Sequence, residues 1–210
     1  RRVRLVRRPP PYTPPTAEEL KVVASGFHNK EANREVADGQ LPLKFLDMEG
    51  KTVDLADYKG TSNVLLVVVK GLPQKTTGQF KGQFCPGCLA QVNALVANYD
   101  KFKAKNTEVV MVFPGPTESV GKFLADGHVS GGLSGVPFRL VRDTELQAVR
   151  ALGIDGDLAR PSTYILDQNG HAVFAFVGND TVDRPSVSSL LARLDALKEK
   201  RNPMNPNGKK

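Results

Sequence analysis

At 210 residues and 22.8 kDa the chain has the size of a single domain with extended ends, long enough to bury a real core. Hydrophobic residues make up 40% and charged residues 24%, near a soluble globular average, and no apolar run approaches the roughly 20 residues that a bilayer-spanning helix needs, so such a helix is excluded. The net charge of +7 sits at the ends: five arginines (Arg1, Arg2, Arg4, Arg7, Arg8) lie in residues 1–16, and Lys198, Lys200, Arg201, Lys209 and Lys210 face Glu199 alone in 198–210. The body between is therefore slightly acidic, which argues against a basic nucleic-acid groove built into the fold.

Residues 1–16 (RRVRLVRRPPPYTPPT) are rich in arginine and proline without apolar periodicity and are expected to be a disordered basic tail. Residues 17–40 follow as an N-terminal extension, and 199–210 form a second disordered tail. Such tails suit contact with an anionic membrane surface or with nucleic acid, although solubilising ends are the simpler reading. The first residue is not methionine, which together with the basic head favours an extracytoplasmic protein, periplasmic or membrane-associated, over a cytoplasmic one.

Between the tails, 41–198 read as one domain. Residues 41–47 (LPLKFLD) and 52–55, joined by the turn 48–51, predict a short strand pair. The aliphatic run 63–69 (NVLLVVV) predicts a central strand buried on both faces. From Cys88 to about Lys105, Leu89, Val92, Leu95, Val96, Tyr99 and Phe102 recur at helical spacing, and 107–113 (TEVVMVF) is the next buried strand. Strand, helix and strand in that order predict a parallel crossover. A short helix at 118–124, a glycine-rich loop at 126–135, a strand at 138–140 and a helix at 144–152 ending at Gly153 come next. Strands 163–166 and 172–177 form a hairpin about the turn 167–170, and a helix at 185–198, capped by Asp183 or Ser186, closes the domain.

The only two cysteines, Cys85 and Cys88, stand three positions apart. With no histidine nearby they cannot complete a structural zinc tetrahedron, and a disulfide-stapled scaffold is excluded. A redox C-x-x-C pair or two core cysteines at chance spacing remain. Their place between a buried strand and the start of a helix gives the first alternative its chemistry. Unpaired N–H groups and the helix dipole stabilise a thiolate at Cys85, the expected nucleophile, and Cys88, one turn further in, is the natural resolving thiol. Pro86 presets the first helical turn and Gly87 leaves little side chain between the sulfurs. His28, His128 and His171 form no metal spacing with the cysteines, and neither a metal nor an organic cofactor is required.

The order of strand, C-P-G-C helix, strand, helix and then Arg160-Pro-Ser-Thr-Tyr-Ile-Leu-Asp with its hairpin resembles the thioredoxin-like superfamily. More narrowly, it is similar to the peroxiredoxin-like branch of alkyl hydroperoxide reductase and thiol-specific antioxidant proteins, over roughly 41–197. The resemblance implies an α/β thioredoxin-like fold, a central mixed β-sheet flanked by helices. It also implies that Pro161 is a cis-proline facing the disulfide, with the Arg160 backbone exposed for pairing with an extended substrate. Phe84 stands where relatives often carry tryptophan and is expected to shield Cys85.

The chain departs from that pattern. Peroxiredoxins present Pro-x-x-x-Thr-x-x-Cys, whereas the positions three and seven before Cys85 are Gly82 and Gly78, neither with a hydroxyl. Pro161 occupies the aligned position of the peroxide-binding arginine, with Arg160 beside it. Residues 71–84 (GLPQKTTGQFKGQF) form a longer approach to Cys85 than many relatives have, read as a mobile rim that carries specificity; Lys70 just before it, and Lys75 and Lys81 within it, are placed to favour the thiolate or are simply solvated. These features favour a thiol-disulfide oxidoreductase acting on a protein dithiol or disulfide partner. The alternatives are a peroxidase that reduces peroxides through a Cys85 sulfenic acid and a non-catalytic thioredoxin-fold binding module. No reading involves sequence-specific nucleic acid.

Overall fold

The computed structural model describes residues 12–41, 44–72, 82–156 and 158–201. Seven strands build one mixed sheet: β1 (Lys44–Asp47), β2 (Thr52–Asp54), β3 (Asn63–Val68), β4 (Thr107–Pro114), β5 (Arg139–Asp143), β6 (Ser162–Leu166) and β7 (Ala172–Val177), in the spatial order β2-β1-β5-β4-β3-β6-β7. The helices are α1 (Ala17–Ser25), α2 (Pro86–Lys103), α3 (Val120–Asp126), α4 (Gln147–Ala151) and α5 (Val187–Arg201). β3, β4 and β5 are mutually parallel, with β3 pairing Asn63 to Thr107 through Val68 to Val112, and every other pairing is antiparallel.

The aliphatic run in β3 is buried at every position, and its alternation divides the interior. Leu65 and Val67, with Val109, Met111 and Phe113 of β4, face a core shared with α1, α2, α3 and α5. Val64, Leu66 and Val68, with Val110 and Val112, face a second core that includes Ala148 and Val149 of α4. A strand covered on both faces must be apolar throughout, which is why β3 and β4 carry no polar alternation. This is the α/β thioredoxin-like arrangement, a central mixed sheet flanked by helices. No helix among the described residues is long and apolar enough to cross a membrane.

Some boundaries differ from the sequence reading. α2 begins at Pro86, with Cys85 itself as its N-cap. α4 begins at Gln147 rather than 144, because the Asp143 carboxylate, projecting from the end of β5, accepts from Gln147 N at 2.7 Å and Val149 N at 3.0 Å, and Leu146 takes a left-handed turn (φ 56°) to let it. Ser186 caps the last helix, accepting from Ser189 N at 3.2 Å. The 167–170 turn is closed by Gly170 at φ 85° and by the Asp167 carboxylate, which takes the N–H of Asn169 and of His171.

α1 is a further helix in the segment read only as an extension. Thr16 and Glu19 form a reciprocal capping box, and Leu20 enters the core beside Phe27. Residues 12–16 also pack on the body: Tyr12 Oη donates to Asp126 at 3.2 Å, and His128 Nε2 lies 2.9 Å from Pro15 O. The remainder of the basic tails, 1–11 and 202–210, lies outside the described residues, as do 73–81 of the segment before Cys85, with Gly78, Lys75 and Lys81.

Candidate active site

β3 leads to Lys70, whose N–H reaches Cys88, and residues 82–85 lead into α2. Phe84, expected as a shield over Cys85, is instead turned into the core, 2% exposed and edge-on to Phe123 (5.3 Å) and Phe113 (6.4 Å). It anchors the approach to the helix, because so large an apolar ring is more stable between two aromatic partners than facing water. Cys85 is half-buried at the N-cap with extended backbone (φ −63°, ψ 122°), and its carbonyl accepts from Cys88 N (2.9 Å) and Leu89 N (3.1 Å). Pro86 fills the first helical position, where its missing N–H costs nothing. Cys88, one turn on, is fully buried and accepts from Lys70 N at 3.2 Å.

The two free sulfurs interact and divide their roles. A hydrogen bond from the Cys88 thiol, the Arg184 charge and the backbone N–H groups of Cys88 and Gly87 outweigh burial and bring Cys85 down to about 5, so it is a thiolate at neutral pH. Burial first, then the neighbouring Cys85 sulfur, push the Cys88 thiol well above its ordinary range. The pair is thus an exposed-side thiolate and an interior thiol in mutual contact.

Arg184 is the residue that the sequence reading missed. It stands 99 residues from Cys85, in the segment before α5, and is 1% exposed. Its Nη2 lies 3.4 Å from both Cys85 Sγ and Cys88 Sγ, Nη1 donates to Gln91 Oε1 at 3.2 Å, and Nε donates to Thr181 O at 3.1 Å. Gln91 is one turn beyond Cys88 on α2 and reaches Thr163 Oγ1 of β6 at 3.5 Å. Gly87 makes this closeness possible, since a Cβ there would sit 1.8 Å from Thr181 O and 2.7 Å from Arg184 Nε. The glycine therefore accommodates the segment that carries the arginine as well as separating two sulfurs. One hint was present in one dimension, a lone arginine followed by the proline that precedes a helix, but nothing in its spacing pointed to the cysteines.

The other expected site residues behave differently. The Arg160–Pro161 peptide is trans, as are all peptides among the described residues. The Arg160 backbone is already engaged, its N–H on Ile154 O (2.7 Å) and its carbonyl accepting from Ser162 Oγ (2.8 Å), so it does not stand open to an extended substrate. Pro161 accepts instead from Gly178 N at 2.8 Å, which fastens β6 to the start of the 178–184 segment. The Arg160 guanidinium bonds Asn179 Oδ1, leaving Arg184 as the guanidinium at the sulfurs. His28, His128 and His171 are all exposed, and among the described residues no three His, Cys, Asp or Glu side chains converge as a metal site requires.

Comparison with known proteins gives the family and the fold. The sequence pattern of the AhpC/TSA family matches residues 32–174. A chloroplastic peroxiredoxin Q of Sedum lineare is 29% identical over 188 residues, covering 87% of this chain and 90% of that protein. The thiol-disulfide oxidoreductase ResA of Bacillus cereus is 20% identical over 159 residues, covering 76% and 79%. In fold, the chain is similar to the mitochondrial 2-Cys peroxiredoxin of Plasmodium falciparum, with a TM-score of 0.58 and 18% identity over 84% of this chain and 96% of that one.

Proposed function

The chain belongs to the AhpC/TSA family of peroxiredoxin-like oxidoreductases, and from that premise we propose that it is a dithiol–disulfide oxidoreductase working through Cys85 and Cys88. The observation that carries this reading is the pair itself: a thiolate at a helix N-terminus with a second thiol one turn behind it and one guanidinium touching both sulfurs. In the reaction the Cys85 thiolate attacks one sulfur of a partner disulfide. A Cys85–partner bond forms, the partner's own S–S bond breaks, and the other partner sulfur leaves as a thiolate. Cys88, after losing its proton, attacks Cys85 Sγ, closes the intramolecular disulfide and releases the second partner thiolate. The partner gains two electrons, which the protein loses. Run in reverse, the same steps oxidise a partner dithiol. Pro86 and Gly87 hold the helix start that orients the two sulfurs, and Phe84 fixes the chain leading into it.

A second reading is favoured by the similarity to peroxiredoxin Q and by a guanidinium at Cys85: attack on a peroxide gives Cys85 sulfenic acid and an alcohol or water, and Cys88 condenses with it to release water. Gly82, three residues before Cys85, offers no hydroxyl to hold the peroxide, which places disulfide exchange first. The two separate in one experiment. Reduced protein is mixed with equimolar hydrogen peroxide or with insulin as a disulfide substrate, and free thiols are counted over time in the wild type, Cys85→Ser and Cys88→Ser. Exchange predicts fast insulin reduction requiring Cys85 and peroxide consumption no faster than that of a simple thiol. Rapid peroxide-driven thiol loss that requires Cys85 would establish the second reading instead.

A further inference from the structure

Arg184 has five N–H donors, and four have an acceptor: Thr181 O, Gln91 Oε1 and, from the two hydrogens of Nη2, the two sulfurs. None of these acceptors is a carboxylate. The adjacent Asp183, although its charge is felt at Arg184, gives its carboxylate to Lys30 at 2.6 Å and to Asn179 N at 2.9 Å. A guanidinium buried to 1% exposure is costly unless opposite charge faces it; the Phe27 ring lies 6.0 Å away and Asp183 acts at a distance, and among the groups that Arg184 hydrogen-bonds only the two sulfurs can carry an anion. In the resting dithiol it is Cys85.

On the exchange reading above, the first step removes this anion. Cys85 becomes the neutral sulfur of a mixed disulfide, and the guanidinium is left 3.4 Å from the one remaining thiol. We infer that Arg184 is a catalytic residue of the second step as well as the first: without moving, it passes its charge compensation from Cys85 to Cys88 and makes Cys88 the thiolate that resolves the mixed disulfide. The Cys88 proton goes to bulk solvent, the new Cys88–Cys85 bond forms, the Cys85–partner bond breaks, and the partner sulfur leaves with the electron pair. Cys88 needs this help because burial opposes its ionisation, and the Lys70 backbone N–H that also reaches it carries no net charge. The charged and titratable groups acting on Cys88 are Cys85 and Arg184. Gln91, 5% exposed and bonded to Thr163, is a positioning residue: it holds Nη1 so that Nη2 stays between the sulfurs.

The test resolves the two steps with dithiobis(nitrobenzoate), a chromogenic aromatic disulfide. One equivalent of coloured thiol is released when Cys85 attacks and a second when Cys88 resolves, so stopped-flow absorbance gives a separate pH–rate profile for each. An opposite charge within about 4–6 Å moves a titration midpoint by roughly 1–3 pH units, so Arg184→Gln is expected to slow the second release at pH 7 by about tenfold or more and to shift its pH–rate profile to higher pH, so that the deficit narrows as the pH rises. A purely structural defect would slow it equally at every pH. Gln91→Leu should slow the same phase less. A second release of unchanged rate in Arg184→Gln overturns the inference and leaves the exchange reading intact. A wild-type protein that never makes the second release overturns the exchange reading itself. Should Arg184→Gln fail to fold, Gln91→Leu, which frees Nη1, carries the test: its second release is expected to slow at pH 7 and to recover as the pH rises, and an unchanged pH–rate profile overturns the inference.

Discussion

Cys85 gathers a thiol donor, two backbone N–H groups and a guanidinium on one sulfur, and its ionisation is the property they share. The expected result is an alkylation rate with iodoacetamide that rises around pH 5 in the wild type and around a clearly higher pH in Arg184→Gln, read from initial rates across pH 4 to 10. The same depression links to stability. A thiol whose folded pKa lies below its unfolded value contributes stability that is fully present above the unfolded value, ordinarily 9.0, and is lost as pH falls through about 5. Reduced wild type should therefore gain on Cys85→Ser as pH rises from 5 to 8. Urea denaturation at both pH values checks this, with a difference on the order of a few kcal/mol, since each pH unit between the folded and unfolded midpoints is worth about 1.4 kcal/mol. Cys88, pushed the other way, does not offset the effect in this window.

Among the elements, the start of α2 and the 178–184 segment form one unit, held by close backbone approach. A Cβ at Gly178 would meet Asp183 O at 2.3 Å, and one at Gly87 would meet Thr181 O at 1.8 Å. Gly87→Ala must push the segment away, so it is expected to cost about 1–3 kcal/mol by the usual penalty of overpacking and to raise the Cys85 midpoint as Arg184 retreats, measured by denaturation and thiolate titration together. Much of this scaffold was legible beforehand. The all-apolar runs of β3 and β4, the helical stripe of α2 and the Asn169-Gly170 turn are local signals, strong because each element meets its partner nearby or is covered on both faces. α1 was also written locally, in the Thr16–Glu19 capping box, but was masked by the proline-rich residues before it. Arg184 was not legible, because its role depends on a contact across 99 residues that no spacing rule anticipates. Pro161 misled for the complementary reason: its position matched a pattern, while the hydrogen bonds of Arg160 and Gly178 that decide its setting are tertiary.

For the molecule as a whole, the N-terminal segment is part of the scaffold around the candidate site. His28 N donates to Arg184 O (3.2 Å), Ser186 N to His28 O (2.9 Å), and Lys30 pairs with Asp183, so the stretch after α1 brackets the arginine from the far side of the chain. Leu20→Ala, which empties a fully buried position in α1, should cost about 2–5 kcal/mol by the usual penalty of a core cavity, whereas Val22→Ser at a 72% exposed position of the same helix should stay within about 0.5 kcal/mol, both by urea denaturation. The buried guanidinium also carries a prediction for the reduction potential. Once both sulfurs are joined, neither bears charge, and Arg184 faces a neutral disulfide from a pocket that water barely reaches. The Arg184 charge is expected to favour the dithiol over the disulfide and so to raise the potential relative to a variant without it. Equilibration against glutathione should therefore find Arg184→Gln at a more negative reduction potential than wild type, by about 30 mV for each 1.4 kcal/mol of lost preference for the dithiol. The burial of one side chain in the 178–184 segment is thus expected to be readable as a voltage.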